Sequence, residues 1–179
     1  MASTTRLSVL GFFLLAYGCT KPAGHRPPGL DDDGAFSELA AELLAAHNQV
    51  RAEALPTPSP ALASLSWDDE LAAIAQDWAA GCRFEHSNNS LGENLALFSA
   101  DAPGTSVVQG WASEASSYDY GSDSCLGVCG HYTQIVWRNT ARVGCGVAQC
   151  DDVVGGFGAG FLWVCNYDPP GNYIGQRPY

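Results

Sequence analysis

Six of the seven cysteines lie between positions 82 and 165 and most constrain how this chain can fold. They are Cys82, Cys125, Cys129, Cys145, Cys150 and Cys165. This many cysteines in a chain of this size indicates an oxidising compartment rather than the cytosol. Their even number predicts three disulfides, although spacing alone does not choose among the pairings.

The seventh cysteine, Cys19, follows a segment typical of a secretory signal. Arg6 precedes an apolar run over residues 7–16 that is too short to span a bilayer. We therefore predict a signal peptide over residues 1–18. Gly18–Cys19 resembles a bacterial lipoprotein cleavage site, although Ala16 and Tyr17 stand where such sites carry leucine and a small residue. Two outcomes stay open: Cys19 becomes a lipid anchor, or it is lost with the signal peptide.

Composition predicts a tether followed by one domain. Residues 19–35 are rich in proline and glycine and read as a flexible tether. Residues 36–179 are long enough for one domain with a full hydrophobic core. The formal net charge of −11 disfavours non-specific binding to nucleic acid, so we expect no nucleic-acid partner.

Hydrophobic periodicity predicts helices first and strands later. The helices are expected over Ser37–Ala54, from Ser66 toward Cys82, and over Thr105–Tyr118. We expect Ser66 to form a capping box with Asp69. Residues 82–100 are predicted to be irregular, and strands are predicted near 143–149 and 161–166. This order predicts an α+β fold rather than a parallel β/α sheet.

The segment Gly130–Thr140, GHYTQIVWRNT, carries an unusual polar load. Its alternation predicts a strand with His131, Thr133, Ile135 and Trp137 on one face. Because neither face is purely apolar, we expect one of them to line a cleft. The later glycine-rich run over 155–160 lacks the spacing of a phosphate-binding loop and is interpreted as a hairpin connection.

Four short motifs occur in order along the chain. They are His47–Asn48 with Arg51, Gly92–Leu95 (GENL), Gly130–Thr140, and Cys165–Tyr173 (CNYDPPGNY). Together they resemble the CAP superfamily (cysteine-rich secretory proteins, antigen 5 and pathogenesis-related 1), most closely the plant pathogenesis-related 1 type. The resemblance covers about residues 36–179. It implies a three-layer α–β–α sandwich with a central antiparallel sheet.

The resemblance also implies which cysteines pair. By similarity to plant members, the disulfides are expected to be Cys82–Cys150, Cys125–Cys129 and Cys145–Cys165. The loop closed by Cys125 and Cys129 is shorter than in many plant relatives. The tail Pro169–Tyr179 is expected to pack as irregular coil because of its prolines and glycines. In plant relatives a similar tail is associated with a released signalling peptide.

The family has a cleft lined by two histidines and two acidic residues. Carried over by motif, these are His86, Glu93, Glu114 and His131. Two neutral imidazoles suit Zn²⁺, and carboxylates can ligate the ion or orient the imidazoles. The residues lack the tight spacing of a dedicated zinc motif. A purely structural His–Glu network and acid–base chemistry therefore remain alternatives, and no cofactor is required.

The resemblance implies a secreted or surface-anchored binding module that is not an enzyme. We expect it to be a monomer that binds a sterol, a fatty acid or another lipid, or a partner protein, with membrane contact only through Cys19. A second hypothesis is a hydrolase that uses His86, His131 and a glutamate, although no GxSxG nucleophile motif is present. A third is a structural interaction module of the cell envelope.

Overall fold

The computed structural model describes residues 38–179. The predicted signal peptide, the tether, Cys19 and the first residue of the first predicted helix lie outside the described residues. Within residues 38–179, no helix combines the length and the hydrophobicity that a membrane span requires.

The described chain forms four α-helices and six strands. The helices are α1 (Glu38–Ala52), α2 (Asp69–Ala80), α3 (Gly104–Ala112) and α4 (Gly130–Ile135), and a 3₁₀ segment, Ser113–Ser117, follows α3. The strands are β1 (Ser66–Trp67), β2 (Gly92–Phe98), β3 (Tyr118–Asp119), β4 (Ser124–Cys125), β5 (Arg142–Val153) and β6 (Gly158–Asp168).

The main sheet has the strand order β1–β5–β6–β2. Strands β5 and β6 form a long antiparallel hairpin, β2 pairs antiparallel with β6, and the two-residue β1 pairs parallel with β5. The glycine-rich run connects β5 to β6, as predicted. The α+β fold with a mainly antiparallel sheet confirms the expected fold class.

The two faces of the sheet bury separate hydrophobic clusters. Successive residues of β6 fall in different clusters, with Trp163 in one and Val164 in the other, as strand alternation requires. The larger cluster joins the sheet to α1, α3 and α4, and the smaller joins it to α2. Helices therefore cover both faces of the sheet.

Two glycines in β5 allow α2 to lie directly on the sheet. A Cβ atom on Gly144 would overlap the backbone of Ala72, and one on Gly146 would overlap the backbone of Gln76. In addition, the amide of Gln76 donates to the carbonyl of Val147 and accepts from its N–H. Strand and helix thus share hydrogen bonds as well as apolar contacts.

The prediction of a strand over 131–137 was wrong. The residues from Gly130 to Ile135 form α4, and six consecutive residues, 132–137, are buried. The Glu114 carboxylate accepts the backbone N–H groups of His131 and Tyr132, which satisfies donors that the first turn of a helix leaves free. The main sheet consists of β1, β5, β6 and β2 and does not include this segment.

Two helix boundaries and one strand also differ from the predictions. Ser66 lies in β1, and the N-cap of α2 is Asp68, whose carboxylate accepts the N–H groups of Glu70 and Leu71. Strand β2 lies within the region that was predicted to be irregular. The third helix ends at Ala112, where the 3₁₀ segment takes over.

The disulfides pair Cys82 with Cys150, Cys125 with Cys129, and Cys145 with Cys165. These are the pairings that the resemblance implies. Cys145 and Cys165 lie directly opposite each other in the β5–β6 ladder, whereas Cys82–Cys150 joins the end of α2 to β5. Each disulfide stabilises the fold by about 2–4 kcal/mol by restricting the unfolded chain.

Candidate functional site

His131 and Glu114 form one of two histidine–glutamate pairs, which we call the inner pair. Nδ1 of His131, in the first turn of α4, lies 2.6 Å from Oε1 of Glu114 in the 3₁₀ segment. The other carboxylate oxygen accepts the backbone N–H of His131 at 3.0 Å. The two side chains are 26% and 16% exposed. One carboxylate therefore fixes both the backbone and the ring of His131.

His86 and Glu93 form the second pair, which we call the exposed pair. Nδ1 of His86 lies 2.9 Å from Oε1 of Glu93, which also accepts the backbone N–H of Ser87. Oε2 of Glu93 accepts the Ser87 hydroxyl at 2.6 Å. The Glu93 side chain is 5% exposed and the His86 side chain 66%. Here the buried carboxylate holds a ring that projects into solvent.

Both pairs select the same histidine tautomer. An ionised carboxylate can only accept, so Nδ1 of each neutral ring carries the proton. The lone pair then lies on Nε2, the nitrogen that remains for a further partner. This is the arrangement in which a carboxylate orients an imidazole for a metal ion.

Strand β2 connects the two pairs through consecutive residues. Glu93 belongs to the exposed pair, and the amide of the next residue, Asn94, donates to the backbone carbonyl of His131 at 3.1 Å. Asn94 is 1% exposed. A change in the position of β2 would therefore displace both histidines.

A buried chain of hydrogen bonds runs from Asn94 into the core. Nδ1 of His47 lies 2.7 Å from the Leu43 carbonyl, so it must carry the proton, and Nε2 accepts from the Tyr167 hydroxyl at 2.9 Å. The Tyr167 oxygen in turn accepts from the Asn94 amide at 3.0 Å. The two amide hydrogens of Asn94 go to Tyr167 and to the His131 carbonyl, and every other donor has one acceptor, so the direction of every bond is fixed.

Burial keeps the core members of this chain uncharged. Desolvation lowers the pKa of His47 from 6.5 to about 4, against the raising effect of its bond to Leu43, and Arg51 lowers it further. Desolvation also raises the pKa of Tyr167 well above its usual value. Both side chains are therefore neutral at neutral pH, as the fixed bond directions require.

Arg51, the last member of the first motif, binds backbone carbonyls. Arg51 is 2% exposed and donates to the carbonyls of Ala63, Ile135 and Trp137. Burial lowers its pKa to about 10, so it remains charged at neutral pH. It therefore stabilises the C-terminal end of α4, whereas Glu114 stabilises the N-terminal end.

The four predicted cleft residues form two pairs rather than one compact set of ligands. In residues 38–179, three histidine, cysteine or acidic ligand atoms lie within 4.8 Å of one another only at His47, Cys145 and Cys165. Those cysteines form a disulfide, so they offer no thiolate. In each pair, Nε2 is the ring nitrogen that does not face the glutamate.

Sequence reasoning did not assign roles to Ser87, Asn94 or Tyr167. Asn94 and Tyr167 lie within the GENL and CNYDPPGNY motifs. The motifs therefore identified the two segments but did not predict the hydrogen bonds between them. Asn94 pairs with Cys165 in the sheet register, which places it near Tyr167 two residues further on. That register is a property of the fold and is not evident in the local sequence.

Comparison with known proteins assigns the fold and these motifs to one family. The model of the cysteine-rich secretory protein family, CAP, matches residues 44–167. The chain belongs to the CAP family. Pathogenesis-related protein 1 of Arabidopsis thaliana is 43% identical to this CAP domain over 138 residues, covering 75% of this chain and 78% of that protein. Pathogenesis-related protein 1A of Nicotiana tabacum is 44% identical over 145 residues, covering 77% and 79%.

Solved structures agree with this assignment. Venom allergen-like protein 4 of Schistosoma mansoni has a TM-score of 0.66 and 28% identity, covering 80% of this chain and 94% of that one. The crystal structure of NaASP2 with Zn²⁺ has a TM-score of 0.60 and 28% identity, covering 84% and 90%.

The CAP domain also has a pocket whose lining includes neither member of the inner pair. It has a volume of about 460 Å³ and lies between the C-terminal end of α1 and the end of α3 with its 3₁₀ segment. Val50, Ala54, Ala112 and Ala115 contribute small apolar side chains to a mixed wall that also contains polar residues, and Tyr132 lies next to His131 in the chain. Of the pocket-lining residues, Glu53 is the one acidic side chain.

Proposed function

We propose that this CAP domain is a secreted, non-enzymatic binding module whose two histidines take a divalent metal ion such as Zn²⁺. The observation that carries the proposal is the fixed tautomer: Glu93 and Glu114 hold Nδ1 of His86 and His131, which leaves both Nε2 atoms as metal donors. A CAP structure with 28% identity was solved with Zn²⁺, which supports the same chemistry here.

The metal proposal is tested by calorimetric titration of Zn²⁺ into the metal-free protein. The wild-type protein should bind Zn²⁺, and His86→Gln/His131→Gln should lose binding while retaining its far-UV circular dichroism spectrum. His25→Gln is a matched control outside residues 38–179 and should bind as the wild type does. Absence of binding to the wild type, or equal binding by the double variant, would contradict the proposal.

We further propose that the pocket between the C-terminal ends of α1 and α3 binds the apolar part of a sterol or a fatty acid. Its volume and small apolar side chains support an apolar occupant. Ala115→Trp should obstruct the pocket from an exposed position and reduce capture of cholesterol or palmitate in equilibrium binding. Ser106→Trp, on an exposed part of α3, is the control. Equal capture by both variants would exclude this pocket.

The hydroxyl groups near the histidines support a binding role over hydrolysis. Ser87 donates to Glu93, and the Thr133 hydroxyl donates its one proton among Asn172 Oδ1 at 2.7 Å and two carbonyls of its own turn, so each hydroxyl is engaged away from the imidazoles. No turnover of a peptide library is expected, with or without Zn²⁺. Turnover that disappears in His131→Ala would instead support the hydrolase hypothesis.

The remaining expectations concern where the module acts. The family description and the three disulfides support secretion. Mass spectrometry of the mature protein tests the anchor: a lipid at Cys19 supports attachment to a membrane, and an N-terminus beyond Cys19 contradicts it. A protein partner captured equally by the wild type and by His86→Ala/His131→Ala would favour a structural module.

A further inference from the structure

A second pocket, separate from the histidine pairs, lies where the first turns of α1 and α3 meet the sheet. It has a volume of about 370 Å³. Leu39 and Glu42 of α1 form part of its wall, and both precede residue 44, where the family match begins. We propose that this pocket binds an amphipathic organic cation, an ammonium group attached to a compact apolar or aromatic body.

The sheet side of the pocket suits the apolar body of such a ligand. Val147 of β5 and Phe161 and Trp163 of β6 lie in its wall, opposite Leu39. Phe161 is half-buried, whereas Trp163 and Val147 are buried, so this side of the pocket is an apolar wall with aromatic area.

The charges on the pocket favour a cation over an anion. Glu42 and Asp101 line it, and none of the described residues in its wall is basic. Oε1 of Glu42 accepts the backbone N–H of Thr105 at 2.9 Å, which fixes this carboxylate against the start of α3. The N-termini of α1 and α3 contribute partial positive charges of about +0.5 each. Two full carboxylate charges exceed that sum, so the pocket remains negative and disfavours a fatty acid carboxylate.

The net charge of the whole chain supports the same preference. At −11 it favours the approach of a cation to any part of the surface, and the two carboxylates of this pocket add the local preference. The pocket therefore differs in ligand charge from the lipid pocket proposed above, and neither proposal depends on the other.

Three probes that share one body and differ in charge test the inference. They are 2-phenylethylamine, the neutral 2-phenylethanol and the anionic 3-phenylpropanoate, titrated into the full chain and followed by backbone amide NMR. The amine should bind about tenfold more tightly than the alcohol, the propanoate should bind most weakly, and the amine should shift the amides of Leu39, Thr105 and Val147. Equal binding of amine and alcohol, or amide shifts confined to another surface, would overturn the proposal.

Charge-neutral variants then test the carboxylates. Glu42→Gln keeps an oxygen for the Thr105 N–H, so it should fold normally and weaken amine binding about 2–5-fold, as should Asp101→Asn. Binding of the alcohol should not change. Asp152→Asn, an exposed carboxylate on β5 outside the pocket, is the matched control. Unchanged amine affinity in a Glu42→Gln/Asp101→Asn double variant would refute the cation site even if the wild type binds the amine.

Discussion

The inner and exposed pairs make the same contact in two different surroundings. In each pair a carboxylate accepts three hydrogen bonds, one from the Nδ1–H of its histidine. Glu114 accepts its other two hydrogen bonds from the backbone of α4, whereas Glu93 accepts them from Ser87 in a surface loop. Asn94 joins the inner pair to the buried His47. One histidine is therefore held by the core and the other by a loop.

The largest expected effect is a loss of folding stability at low pH, caused by the buried His47 to which the inner pair is joined. Because the pKa of folded His47 is about 4 and that of the unfolded residue about 6.5, the unfolded chain takes up the proton first. The contribution of neutral His47 to the free energy of unfolding is therefore complete above about pH 6.5. It is lost as the pH decreases, by about 3 kcal/mol once the pH is below 4. Urea unfolding from pH 7.5 to 4 should show a steeper decline for the wild type than for His47→Gln. Parallel curves would contradict this.

Removing each carboxylate compares the pairs directly. Glu114→Ala should lower the free energy of unfolding by about 2–3 kcal/mol, because it leaves donors of half-buried His131 and buried Tyr132 unpaired. Glu93→Ala should cost about 1 kcal/mol, because water can reach the exposed His86. Glu85→Ala, which loses only a 3.6 Å surface ion pair with Arg83, is the control. Equal losses for both glutamates would remove the distinction between the pairs.

Tyr167→Phe tests whether the buried chain supports the inner pair specifically. Loss of the hydroxyl leaves Nε2 of His47 and one N–H of Asn94 unpaired and should cost about 2 kcal/mol. Hydrogen exchange should accelerate in α4 and remain unchanged in the loop of His86. Tyr173→Phe, at a residue that is 50% exposed, should have neither effect. Faster exchange in both regions would point to general destabilisation instead.

Ser87→Ala should have the smallest effect and should act only on the exposed pair. It removes one hydrogen bond to Glu93 in a half-buried loop, at a cost of about 0.5–1 kcal/mol. The NMR signals of the His86 ring should shift, and those of the His131 ring should not. A shift at His131 would show that β2 transmits changes between the pairs.

The sequence predicted the architecture better than the contacts of the site. The order of periodic segments predicted an α+β fold. The resemblance carried by the motifs implied the disulfides and identified His86, Glu93, Glu114 and His131 as the cleft residues. The prediction of a strand over 131–137 failed because a mixture of polar and apolar residues over seven positions fits a strand and a short helix equally well. Glu114 favours the helix, because it lies outside the segment and accepts the first N–H groups of α4.

The supporting contacts could not be predicted for a related reason. Asn94, Tyr167 and Ser87 act through bonds that depend on sheet register and loop path, which local patterns do not encode. In β2, Glu93 and Asn94 make the start of the strand polar, so the sequence shows no clear alternation of polar and apolar residues there, and the strand was not predicted. Pairing with β6 overrides that local pattern.

The buried chain of hydrogen bonds starts at the Asn94 amide, which donates both toward His47 and to the backbone of His131, and it gives the core a spectroscopic probe. The Nδ1 proton of His47 is fully buried and bonded to a carbonyl, so it should exchange slowly and give a resolved, strongly downfield proton resonance. Its chemical shift depends on the Tyr167 hydroxyl and, through Asn94, on the backbone at His131. A change in the cleft that moves the backbone of His131 should therefore shift this resonance of the core.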